Sequence, residues 1–227
     1  MALGKIPRNE LILNRSGLIV GELHKVQNAI GTGYLSAFPF GFFSVKLLNG
    51  QDIWAPWYVI HKIMAGLLDQ YIFLQSQLAL EMVIDEANFF HTWVEGVVAQ
   101  YGIGHWINML NVEFGGMEEV LYNLYGVTKD PNHASLAARF VKPSFYDPLV
   151  QNTDQLGGIH ANTHLAQANG MAAAFEVAQN TSQQHAVANF FRFLTAQHSY
   201  ATGGSNDHEY WTAPNTIGDA LQVTDGL

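Results

Sequence analysis

The 227-residue sequence contains no cysteine. Without cysteine, the chain can form no disulfide bond and no cysteine-ligated zinc site, and it has no thiolate nucleophile. The absence does not indicate a redox compartment.

Charged side chains are scarce. They make up 13% of the residues, about half the usual share for a globular domain. Hydrophobic residues make up 48%, which is enough for one domain with a substantial core. A surface rich in uncharged polar groups and aromatic rings suits neutral ligands better than polyanions. The net charge is −9 and there is no dense basic run, so we expect no nucleic-acid binding.

Long hydrophobic runs are also missing. No apolar stretch approaches the roughly 20 residues that cross a bilayer, so we expect no membrane partner. Residues 1–21 mix apolar side chains with Lys5, Arg8 and Arg15. They lack the apolar core and the small-residue cleavage site of a signal peptide, so the localisation stays unknown.

Three segments of the chain share one pattern, in which an apolar helix, a polar turn and a second helix ending in Phe follow one another. They recur about every 50 residues, a spacing typical of repeat architectures. Apolar residues three and four positions apart predict amphipathic helices and not strands. We predict hairpins at 58–100, 115–141 and 161–198. The turns contain Asp130 and Asn180, which suit helix N-caps.

The connections between these hairpins differ from the turns inside them. A helical hairpin cannot bury its own apolar stripe and must stack on neighbours. The turns inside the hairpins are short and polar, whereas the connections are long and rich in Gly, His and aromatic residues. This asymmetry favours a helical toroid with its loops gathered on one face. Ordinary packed loops are the alternative.

Glu209 follows a glycine-containing loop that begins at Thr202. Two adjacent glycines allow backbone shapes closed to other residues. A carboxyl held there beside Tyr210 and Trp211 could be partly desolvated, which favours a proton donor. A solvated surface Glu is the alternative.

His160 and His164 lie four residues apart near a predicted helix start. That spacing places both rings on one helix face, as in some metal sites, but the pair alone is a weak motif. We favour sugar-hydroxyl binding by one His and core packing by the other.

Trp57, Tyr58 and His61 open another predicted helix. Aromatic faces beside a polar tip suit a sugar ring, so these three residues are candidate substrate contacts. A His hydrogen-bonded to the backbone is the alternative. Glu118 and Glu119 lie in the first turn of a later predicted helix. They could interact with the helix dipole or take part in catalysis.

Five stretches, taken together and in this order, resemble the β-L-arabinofuranosidases of glycoside hydrolase family 127. They are GYLSAFP (33–39), IHKIMAGLLDQY (60–71), EFGGMEEVLY (113–122), HANTH (160–164) and HSYATGG (198–204). The resemblance covers about residues 22–222. It implies an all-α fold, a partial (α/α)6 toroid built from helical hairpins. Residues 1–21 would be an unmatched N-terminal segment, and 22–227 an incomplete catalytic domain.

The resemblance also implies a mechanism. In this family a zinc-bound Cys attacks the anomeric carbon, and a Glu serves as general acid and then as base. The matching Glu is Glu209, and the matching sugar-binding histidines are His160 and His61; another His of some members falls at Met117. The zinc ligands are a Glu and three Cys, whereas this chain has no Cys and reads VTDGL at 223–227. We therefore expect no metal and no cofactor here, in a truncated or mispredicted gene product.

The resemblance therefore predicts a fragment of a retaining glycoside hydrolase, inactive by itself. Its carbohydrate substrate would be β-L-arabinofuranosides of plant glycans or glycoproteins. Two other classes stay open. One is another α/α-toroid sugar enzyme, either an epimerase or an unsaturated uronyl hydrolase. The other is a non-catalytic sugar-binding remnant.

Overall fold

A computed structural model describes residues 10–220 of the chain. Within that range it has ten α-helices, one π-helical segment and no β-strand beyond isolated bridges, so the predicted all-α class is confirmed. The helices are α1 (Glu10–Ile30), α2 (Pro56–Leu74), α3 (Gln77–Tyr101), α4 (Ile103–Met109), α5 (Met117–Thr128), α6 (Pro131–Ala138), α7 (Pro143–Val150), α8 (Ala161–Ala178), α9 (Thr181–Gln197) and α10 (Ile217–Ala220), with the π-helical segment at Phe42–Leu47. The VTDGL stretch at 223–227 lies outside the described residues.

Three helical hairpins form the body of the fold: α2–α3, α5–α6 and α8–α9. They coincide with the predicted hairpins, and their turns are built alike. Each first helix ends at a residue in the left-handed conformation, and the next residue caps the second helix through its side chain. The pairs are Gln75 and Ser76, Lys129 and Asp130, and Gln179 and Asn180. A two-residue turn holds the two helices of each pair close together.

The first helices of the hairpins run parallel in one layer. The side chain of Glu118 lies against Gly170 and that of Val177 lies against Gly126, so α5 and α8 point the same way. On the other side of α5, α2 packs alongside with its His61 against the residues just before α5. Parallel first helices place the long connections on one face and the short turns on the other, as predicted.

Aromatic side chains fill the core between α2, α3 and α6. The ring of Trp57 is fully buried and meets Phe43, Phe90, Trp106 and Phe140 at centroid distances of 4.6 to 5.8 Å. These rings come from four different parts of the chain. The structure therefore places Trp57 in the core and not at a sugar-facing surface.

A second apolar cluster lies under α8 and α9. It includes Phe145, Phe190 and Trp211, and so joins the loop after α9 to the helices. Among the described helices, none combines the length and the apolar composition that a membrane span needs.

Candidate active site

His160 caps the start of α8 with its own side chain. Its Nδ1 accepts the backbone N–H of Thr163 at 3.3 Å and lies 2.7 Å from the Thr163 hydroxyl. An Nδ1 that accepts a hydrogen bond leaves the ring proton on Nε2. That Nε2 faces the carboxylate of Glu209, 3.3 Å from Oε2. The cap therefore fixes the tautomer that donates toward Glu209.

Glu209 occupies a strained turn. Asp207 and Tyr210 exchange both backbone hydrogen bonds at 2.9 Å, so His208 and Glu209 form a two-residue hairpin turn. Both have positive φ, 48° and 71°. Left-handed backbone costs a residue with a side chain about 1 kcal/mol or more, and surrounding contacts must hold it in place.

Those contacts come from the segment that leads into α8. The N–H of Ala161 donates to the carbonyl of Glu209 at 2.7 Å, and the N–H of Trp211 donates to the carbonyl of Ile159 at 3.0 Å. The N–H of Gly158 donates to the carbonyl of Trp211 at 2.8 Å. The Trp211 ring is buried in the second apolar cluster. The backbone on both sides of the site is therefore fixed.

The carboxyl of Glu209 itself faces solvent. Its side chain is 73% exposed, against 20% for His160. Of the two possibilities that the sequence left open, the structure shows the solvated surface Glu, because Trp211 points into the core and Tyr210 is half exposed. Tyr210 instead packs its ring edge-on against His160 at 5.1 Å. An exposed carboxyl, an imidazole N–H and an aromatic ring thus share one surface.

Tyr58 and His61 form a second polar patch, at the start of α2. Their ring centroids lie 5.7 Å apart. A Cβ added to Gly115 or Gly116 would come within 2.6 or 2.8 Å of the His61 ring, so the two glycines let the ring approach the backbone. Burial, aided by Lys62, lowers the pKa of His61 to about 4. The ring is therefore a neutral imidazole at physiological pH.

The structure brings some of the predicted site residues together. His160 and Glu209 are in contact, and Tyr210 packs on His160. Tyr58 and His61 contact each other and the glycines before α5. Within residues 10–220, no hydrogen bond or ring contact joins Tyr58 or His61 to His160 or Glu209.

A family model described as the GH127 catalytic domain of β-L-arabinofuranosidase matches residues 5–224. The chain belongs to this family. A search of curated proteins found no match. This is the family that the sequence motifs resemble. It is a glycoside hydrolase family, so its substrates are carbohydrates. The match begins at residue 5 and so includes most of the 1–21 segment, which the sequence motifs left outside the resemblance.

The zinc site expected of β-L-arabinofuranosidases does not fit the residues present. The chain has no Cys, and residues 10–220 hold no cluster of three or more His, Asp or Glu side chains that could bind a metal. His164 donates from Nδ1 to the carbonyl of His160 at 2.8 Å and packs on Phe145 at 4.8 Å. Burial lowers the pKa of His164 to about 4. Of the two histidines, His164 packs in the core and His160 faces Glu209.

Two glutamates are buried, which the sequence did not indicate. Glu118 is 1% exposed and Glu86 is fully buried, and within the described part of the chain neither carboxyl has a hydrogen-bond partner at normal geometry. Burial raises the pKa of Glu118 to about 8, and that of Glu86 well above its ordinary value. Both are neutral acids over much of the pH range. In the sequence, the position of Glu118 in a first helical turn indicates a residue that interacts with the helix dipole. That position does not indicate burial.

Proposed function

We propose that this chain forms the sugar-binding and proton-donating part of a retaining glycoside hydrolase that acts on β-L-arabinofuranosides of plant glycans or glycoproteins. One observation carries the proposal: the carboxyl of Glu209 lies 3.3 Å from an imidazole N–H of His160 on an open surface. The family supports the substrate class, and the resemblance supports the roles.

Glu209 is suited to serve as general acid. Its carboxyl stands clear of the fold on a turn that backbone pairing holds rigid, so a glycosidic oxygen can reach it. His160 can hydrogen-bond a sugar hydroxyl through Nε2–H or hold the Glu209 carboxylate, and Tyr210 supplies an apolar ring edge. Glu209, His160 and Tyr210 would therefore surround the terminal sugar.

Tyr58 and His61 would provide further sugar contacts, from the start of α2. Neutral His61 can exchange hydrogen bonds with hydroxyls, and the face of Tyr58 can stack on a sugar ring. Trp57 would make no sugar contact, because its ring is buried in the core.

The 227 residues alone should not turn substrate over. Retaining hydrolysis needs a nucleophile as well as a general acid, and the thiolate expected from the family is missing because the chain has no Cys. A general acid alone contributes about 10²- to 10⁴-fold, which leaves most of the barrier to glycoside hydrolysis in place.

The test is release of the aryl group from an aryl β-L-arabinofuranoside by the purified chain, with Glu209→Gln as the matched variant. We expect both proteins to stay at the background rate. Turnover by the wild type that the single Glu209→Gln change abolishes would show that no thiolate is required, and would contradict the proposed division of labour.

A further inference from the structure

His198, at the end of α9, is fully buried and faces two hydrogen-bond acceptors. Its Nδ1 lies 3.0 Å from the carbonyl oxygen of Thr212, and its Nε2 lies 2.9 Å from Oδ2 of Asp154. The other oxygen of Asp154 accepts the N–H of Leu156 at 3.1 Å. The His198 ring therefore bridges the backbone at Thr212 and the side chain of Asp154.

The two acceptors belong to the two segments that carry the site. Asp154 lies six residues before His160, and Thr212 lies three residues after Glu209. Next to this bridge the segments are closely packed, since a Cβ on Gly157 would lie 3.4 Å from the carbonyl oxygen of Thr212. His198 therefore joins the segments beyond the point where their backbone pairing ends.

We propose that His198 is a positioning residue: together with Asp154 it holds the turn of Glu209 in register with His160. This inference rests on the proposed roles of Glu209 and His160. The strained turn at His208 and Glu209 needs such support. Backbone pairing and the buried ring of Trp211 also connect it to the segment before α8. Removing one partner of a buried hydrogen bond leaves the other polar group unsatisfied, so loss of either His198 or Asp154 should release the turn.

The first test needs no variant. Hydrogen exchange of the imidazole ring N–H groups can be followed in nitrogen-15 spectra. We expect a ring N–H of His198 to exchange slowly with solvent, because the ring is buried and hydrogen-bonded. A His198 ring proton that exchanges as fast as that of the exposed His185 would overturn the proposed bridge.

The second test measures register through His160. In the wild-type background, Glu209→Gln should shift the His160 ring resonances, because the carboxylate faces Nε2. In His198→Phe and Asp154→Ala backgrounds we expect that response to be lost. In Asp154→Asn we expect it to survive, because the amide can donate to Nε2 of a neutral His198 while its oxygen accepts from Leu156.

The control is His185→Gln, an exposed His on the same helix, which should leave the response intact. A full response of His160 in the His198→Phe and Asp154→Ala backgrounds, or its loss in Asp154→Asn, would overturn the positioning role. Neither test uses a ligand or turnover. Failure to bind arabinofuranosides would therefore count against the proposed function alone.

Discussion

Replacing Glu118 by Gln should remove a large part of the pH dependence of stability. Glu118 lies between α5 and α8 against Gly170, and the amide of Gln183 offsets only a little of the burial. Its pKa is about 8 in the folded chain and about 4.5 when exposed. Because the folded pKa is raised, the neutral acid stabilises the fold below pH 4.5, and this contribution is lost as pH rises toward 8.

The magnitude follows from the two pKa values. Each pKa unit corresponds to about 1.4 kcal/mol. Between pH 4.5 and pH 7, Glu118 ionises in the unfolded chain but stays neutral in the folded chain, which should lower the free energy of unfolding by on the order of 3 kcal/mol. Glu86 acts in the same direction, since burial raises its pKa as well. The difference between wild type and Glu118→Gln isolates the share of Glu118.

The assay is urea unfolding at pH 5, 6, 7 and 8, followed by circular dichroism. We expect the wild type to lose stability steadily over this range and Glu118→Gln to lose markedly less. Glu176→Gln, at an exposed position on α8, serves as the control and should follow the wild type. Parallel curves for the wild type and Glu118→Gln would refute the burial argument.

Three further changes test other parts of the fold. Gly115→Ala should displace the ring of His61, visible as a shift of its resonances, because the new Cβ would lie 2.6 Å from Nδ1; Gly50→Ala, also at positive φ but with nothing within 4 Å, should leave the ring in place. Trp211→Ala should cost about 3 to 5 kcal/mol of unfolding free energy and expose the loop after α9 to proteolysis, and an intact loop would contradict its anchoring role. Leu18, 67% exposed on α1, should promote association, so Leu18→Ser should lower the apparent mass in sedimentation; an unchanged monomer in both proteins would contradict this.

The hairpins could be predicted from sequence because their determinants are local. Apolar spacing fixes each helix, and Asp130 and Asn180 mark the turns. The packing of the hairpins does not follow from such signals. A Trp at a helix start, such as Trp57, looks the same whether it faces a sugar or the core, and only the surrounding rings decide.

The site was predictable in part. The proximity of Glu209 to His160 followed from the family resemblance, since 49 residues separate them and no local pattern joins them. The contact of His198 with Asp154 spans 44 residues. His198 begins the HSYATGG motif, but no local pattern joins it to Asp154. For Glu209 the sequence left a desolvated and a solvated carboxyl open, because the outcome depends on Trp211 turning inward.

The most direct test of the account is a titration of the nitrogen-15-labelled chain with methyl β-L-arabinofuranoside, followed at the His160 ring. We expect saturable shifts of Nε2, weakened in Glu209→Gln, and no saturation with the α-anomer at the same concentrations. His160 ring resonances that do not shift with the β-anomer, or that shift equally with both anomers, would contradict the claim that His160 and Glu209 form the sugar-contacting pair.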